Sequence, residues 1–211
     1  MNTNKLEDAS NFKKKKLQLV LASQSPRRQK VLKDNGYDFI VDVSHADEES
    51  IRPGNIKDKV LQTAKLKAET VAKRHDDSII IGADTLVYFE GEEIGQQKDR
   101  EKAKKILKKL LGKTHEVYTG LCIIVKEHGK IKKMIQDTVI TKVTLKDVNE
   151  NTLNGYIDTE QYKGKAGAYS LDDAEFKPFI DKIDGSYTNV MGLPIEKFKT
   201  ILKKVQEGQN V

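Results

Sequence analysis

The spacing of apolar residues along this chain changes several times, and each change predicts an element. Leu17 to Ala22 (Leu-Gln-Leu-Val-Leu-Ala) is a short apolar-rich run of the kind that forms a buried strand. Ser25-Pro26 then has the form of a helix start, with serine as N-cap and proline at the first helical position, and Gly36 closes that helix. Tyr37 to Val43 alternates loosely and predicts a second strand. Val60, Leu61, Ala64, Ala68, Val71 and Ala72 recur at helical spacing, which predicts an amphipathic helix over 58–74 lying on one face of a sheet. Lys67 on that helix reads as a solvated lysine. Ser78 to Ala83 is β-rich and nearly all apolar, the pattern of a central strand covered on both faces, and Asp84-Thr85 ends it.

In the second half, Val87-Tyr88-Phe89 and Glu93-Ile94 would pair as a hairpin around Glu90-Gly91. A helix capped by Asp99 runs to Leu111 and stops at Gly112, its many lysines forming a solvated face. Strands are expected at 119–125 and 134–145 with a turn at His128-Gly129, followed by a short helix over 149–157. Lys163 to Tyr169 is a small-residue loop in which backbone could approach a ligand closely. Pro194 opens a last helix with Ile195, Phe198, Ile201, Leu202 and Val205 on its apolar face. The mixture of helices and strands predicts an α/β fold.

Composition narrows the class. With 211 residues the chain suits one globular domain, taken as residues 17–208, behind a disordered basic tail over 1–16 that contains Lys13 to Lys16 and lacks the apolar segment of a secretory signal. No apolar run approaches the roughly 20 residues that span a bilayer, so a soluble protein is expected. The single cysteine, Cys122, falls inside a strand-like run and reads as a small core residue; without an intrachain disulfide, a cytoplasmic location fits. The net charge of +6, from 38 Lys+Arg against 32 Asp+Glu, allows weak attraction to polyanions. Basic residues interleaved with stacking aromatics are missing, so nucleic acid is not the expected partner. His45, His75, His115 and His128 are too scattered to suggest zinc.

Candidate chemistry begins at Ser23-Gln24-Ser25-Pro26-Arg27-Arg28. Cations at a helix N-terminus oppose the helix dipole, so an anion is expected between Arg27, Arg28, the serine hydroxyls and the free N–H groups. The alternative is a capped helix with two solvated arginines. His45-Ala46-Asp47-Glu48-Glu49 is either a solvated acidic loop or a magnesium site, because hard cations take carboxylate oxygens. Asp84, where a buried strand emerges, is placed either for catalysis or merely to start a turn.

Leu21-Ala22-Ser23-Gln24-Ser25-Pro26-Arg27-Arg28 resembles the opening signature of the Maf family of nucleoside triphosphate pyrophosphatases. Ile81-Gly82-Ala83-Asp84-Thr85, the 112–120 segment with His115 and Thr119, Lys165-Ala166-Gly167-Ala168-Tyr169 and Gly192-Leu193-Pro194 fit the same family in the same order. The resemblance implies a long mixed β-sheet flanked by helices, with two lobes around a deep cleft. It implies hydrolysis of a nucleoside triphosphate to monophosphate and pyrophosphate with Mg²⁺ or Mn²⁺, and a homodimer, since relatives commonly pair. Asp84 would be the general base and, with Glu48, a metal ligand. Ser23, Arg27, Arg28 and Lys165 would bind anionic oxygens, and Thr85 with Arg27 would help set base specificity. The motifs look like the branch acting on dTTP and UTP. Two positions depart from the family pattern. Gln96-Gln97 stands where Lys-Pro is usual, which predicts a slower enzyme, and Asp172 stands where a base-choosing glutamine is usual, which bears on nucleotide preference. A non-catalytic nucleotide-binding regulator is the rival reading, and a basic RNA-associated protein a third.

Overall fold

The computed structural model describes residues 17–51 and 54–207; the basic tail expected over 1–16 and the last residue of the expected domain lie outside them. In chain order the elements are β1 (Gln18–Leu21), α1 (Pro26–Asp34), β2 (Ile40–Val41), a 3₁₀ turn at Glu48–Ser50, α2 (Ile56–Ala72), β3 (Ser78–Phe89), β4 (Glu92–Ile94), β5 (Gln96–Gln97), α3 (Arg100–Leu110), β6 (Thr114–Glu127), β7 (Lys130–Leu145), α4 (Glu150–Asp158), β8 (Lys165–Ala166), a 3₁₀ turn at Lys177–Phe179, β9 (Ile180–Asp184), α5 (Tyr187–Val190) and α6 (Ile195–Gln206). The main sheet runs β2-β1-β3-β6-β7-β9, with β4 paired to β3. β1 is parallel to β2 and β3, and β3, β6, β7 and β9 are antiparallel in turn, so the sheet is mixed. A second, two-stranded sheet pairs β5 with β8.

Helices cover both faces of the main sheet. Leu32 of α1, Leu107 and Leu110 of α3, and Phe198 and Ile201 of α6 pack with Leu21, Ile81 and Leu121 in the larger apolar cluster. On the opposite face Ala64, Ala68 and Val71 of α2 meet Val20, Ile80, Cys122 and Ile124. Burial pushes the Cys122 thiol up to about 12, in keeping with a core residue. Two glycines set how closely α2 docks. A Cβ on Gly82 would lie 2.1 Å from the Ala64 carbonyl oxygen, and one on Gly120 would lie 2.2 Å from that of Val60. The helix therefore rests on the sheet backbone itself, a separation that side chains on both surfaces would forbid.

Several expectations are revised. The central strand does not end at Asp84-Thr85: β3 continues to Phe89 because β6 pairs with it from Ser78 to Tyr88, so the Asp-Thr pair sits mid-strand. The second strand shrinks to Ile40–Val41, a two-residue edge strand. β6 and β7 are longer than expected, 14 and 16 residues, since their pairing extends from Thr114↔Thr144 to Glu127↔Lys130. The hairpin around Glu90-Gly91, the Asp99 cap and the helix after Pro194 form as predicted. The lysines of α3 are less free than a solvated face requires: Lys104 and Lys108 both pair with Glu150, and Lys109 pairs with Glu92.

Candidate functional site

Ser23, Arg27, Arg28, Glu48, Lys67, Lys165, Asp172 and Asp173 all line one cleft of about 820 Å³, a size suited to a small organic guest. A narrower recess of about 60 Å³ shares Arg27, Arg28 and Lys67 with it and reaches Asp84, Thr85 and Tyr169. The stretches around residues 25, 84 and 165 therefore meet.

One wall is built by β3 and α2. Gly82 and Asp84 share a face of the strand by its period of two, and Ala64, Lys67, Ala68 and Val71 share a stripe of the helix by its period of 3.6. With the helix docked on Gly82, Lys67 is carried onto Asp84: its Nζ donates to Asp84 Oδ1 at 2.8 Å and pairs with Glu48 Oε1 at 3.1 Å. The Lys67 side chain is only 11 % exposed, so the solvated lysine of the sequence reading is corrected: it is a buried cation shared by two carboxylates. Glu48 arrives on the 3₁₀ turn, itself capped by the Asp47 side chain. Behind that loop, Asp42 accepts two bonds from Arg74 and one from His75, which holds its carboxyl down at about 2.

The helix N-terminus differs from its expected form. Ser25 precedes Pro26 as predicted, but its side chain caps nothing; its N–H instead donates to Ser23 Oγ at 3.2 Å. Arg28 is not a free guanidinium. Buried, it donates to the Gly192 carbonyl at 2.8 Å, to Ser23 Oγ at 2.9 Å and to Thr85 Oγ1 at 3.3 Å. Thr85 Oγ1 lies 3.0 Å from Thr119 Oγ1, which donates to the Asn189 carbonyl, so one polar chain joins α1, β3, β6 and α5. Arg27 is looser: among the described residues its hydrogen bond is to the Gly164 carbonyl at 3.4 Å. Burial lowers the pKa of both arginines, opposed chiefly by Asp173 at Arg27 and by Asp84 at Arg28.

The second wall comes from β8 and the loop after it. Pairing of Gln97 with Lys165 and of Gln96 with Ala166 places Gln96 in the cleft. The expected open loop over 163–169 is thus partly a strand. Lys165 Nζ contacts both carboxylate oxygens of Asp173 at 2.5 Å, and Tyr156 donates its hydroxyl to the same carboxylate at 2.9 Å. Asp172 faces the cleft while accepting from Tyr187 at 2.9 Å, with Lys30 at 3.9 Å. Behind this wall the buried His115 lies 2.6 Å from the Tyr169 hydroxyl; burial lowers its pKa to about 4.

Sequence reasoning missed Lys67 and Asp173. A lysine on the Val60-Ala64-Ala68-Val71 stripe was a visible signal for the first. Nothing in the spacing of residues 170–173 marked the second.

The donor set at Asp84 and Glu48 fits a hard divalent cation, because both carboxylates already converge on one cationic centre. Among the described residues no group of three or more His, Cys, Asp or Glu gathers to hold a metal, so any such ion would complete its shell from water and a bound anion. Among the same residues no helix is long and apolar enough to cross a membrane.

A family model described as Maf-like protein matches residues 18–205. The dTTP/UTP pyrophosphatase of Fusobacterium nucleatum is 37% identical over 187 residues, 89% of this chain and 95% of that protein. Proteins of the same name are 37% identical in Pyrococcus furiosus over 92% of this chain and 96% of theirs, and 39% identical in Clostridium acetobutylicum over 88% and 96%. With matched motifs spread from β1 to α6, the chain belongs to the Maf family.

Proposed function

We propose that this protein hydrolyses nucleoside triphosphates between the α and β phosphorus atoms, yielding monophosphate and pyrophosphate, with dTTP and UTP as its substrate class. The names carried by its relatives support the reaction and the pyrimidine preference. The observation that carries the assignment to this site is the Asp84–Lys67–Glu48 bridge in a cleft that Arg27 also lines.

Asp84 is the general base. Lys67 engages its Oδ1, and Oδ2 takes the proton of the attacking water as its oxygen bonds to the α phosphorus and the bond to the bridging oxygen breaks. Asp84 and Glu48 would hold a Mg²⁺ or Mn²⁺ ion, which would supply charge neutralisation on the phosphate oxygens. Arg27 and Lys165 receive the departing pyrophosphate, a fit for charge-assisted hydrogen bonds. Arg28, held by Gly192, Ser23 and Thr85, fixes the helix N-terminus whose N–H groups face the anion. Thr85 and Asp172 bear on which base is accepted. A cytoplasmic homodimer completes the reading, supported by the single buried cysteine for the location.

Pyrophosphate release from a panel of triphosphates with Mg²⁺ or Mn²⁺ tests this directly, and no release from any member would overturn it. Gln96, a neutral residue in a cleft built for an anion, favours a second reading as a nucleotide-binding regulator. Calorimetric nucleotide binding without turnover at high protein concentration would select it.

A further inference from the structure

The cleft contains an anion of its own. Lys165 and Asp173 are 12% and 11% exposed and in direct contact, and both line the space where a polyphosphate would sit. Asp173 is fixed independently of Lys165, by the Tyr156 hydroxyl at 2.9 Å and the Ser170 N–H at 3.2 Å. Lys165 is the mobile partner, a point charge on a flexible stem with rotatable donors. Burial lowers the Lys165 pKa against the support of Asp173, so the ammonium relies on a nearby negative charge.

We propose that Asp173 is a positioning residue that stands in for the substrate's negative charge. It holds Lys165 before a guest binds and yields it to an incoming phosphate oxygen, so it limits how tightly the triphosphate end and the pyrophosphate product are held. This rests on the anion-binding role given to Lys165 above. Its chemical consequence is a moderate grip: each binding event breaks an ion pair to form another, and product leaves by the reverse exchange. Without Asp173, Lys165 and the neighbouring Arg27 would face the guest with uncompensated charge.

The test is D173N, which keeps an acceptor for Tyr156 and removes the charge. Titrated calorimetrically with inorganic pyrophosphate and Mg²⁺, the variant should bind about tenfold more tightly than wild type, the scale of one charge-assisted hydrogen bond. Its KM and kcat should both fall, because a structural fault would raise KM whereas a tighter grip lowers KM and slows release. Its melting temperature should be lower in buffer alone and recover with pyrophosphate. Unchanged or weaker pyrophosphate binding would overturn the proposal. A second measurement needs no variant: in wild type crystallised with pyrophosphate, Lys165 Nζ should have left Asp173 for a phosphate oxygen, and a Lys165 still held by both carboxylate oxygens would overturn it equally. Loss of the broader enzymatic reading shows separately, as wild type that binds pyrophosphate yet releases none from any triphosphate.

Discussion

The two walls of the cleft each bury a lysine against carboxylate, and they differ in charge balance. On the β3–α2 wall one ammonium serves two carboxylates, Asp84 and Glu48, leaving that trio with one excess negative charge set against the buried Arg28 guanidinium. On the β8 wall one ammonium meets one carboxylate, Asp173, leaving a neutral pair beside the Arg27 guanidinium. The first has carboxylate to spare for a cation; at the second, Lys165 takes an anion only by giving up Asp173, whereas Arg27 needs no such exchange. A buried ion pair is by itself weak evidence of stabilisation, since desolvation offsets its attraction. Here the unequal pairing carries the meaning: it sorts where a metal and a phosphate would sit.

The largest effect is expected at Asp84. Asp84→Asn should reduce pyrophosphate release by about 10² to 10⁴, and a rate within tenfold of wild type would remove Asp84 as the base. Next is acid sensitivity behind the neutral wall. Folded protein keeps His115 neutral down to about pH 4, while an ordinary imidazole protonates near 6.5. The unfolded chain therefore binds more protons between those values, and stability falls as pH drops through that window, by on the order of 3 kcal/mol. His115→Gln should flatten this dependence in urea titrations at several pH values, and an unchanged slope would assign the loss elsewhere. Lys67→Met should cost about 1–3 kcal/mol by leaving two carboxylates without their shared cation. Mg²⁺ should raise the variant's melting temperature more than that of wild type; equal shifts would mean the first wall has no excess negative charge. The smallest effect is expected from Gln96→Lys, which adds a cation beside the neutral wall and should lower KM for the best triphosphate by about threefold to tenfold.

The framework could be read from periodicity because apolar stripes report directly on burial. The α2 stripe, the apolar run at 78–83 and the Asp99 cap each encode their own element. Two misreadings share one cause, namely that a polar residue was assigned to solvent by default. Asp84-Thr85 reads as a strand end although β6 supplies partners on its far side, and Lys67 reads as solvated although it lies on the buried stripe. Both were recoverable locally. The Lys165–Asp173–Tyr156 cluster was not, since its members come from β8, an irregular loop and α4, and no period links them. The role expected of Arg28 was similarly incomplete: its partner carbonyl at Gly192 lies 164 residues away, a contact that only the tertiary fold creates.

Gly82 and Gly120, by bringing helix and sheet into backbone contact, also decide how stiffness is distributed. Asp84 and Lys67 ride on a laminate with no compressible layer, so their separation is fixed at about one hydrogen bond before any guest arrives. The opposite bank is held differently, by the short β5–β8 pairing and by Ala168, Tyr169 and Leu171 buried in the larger apolar cluster, so its stiffness comes from side-chain packing and not from backbone contact.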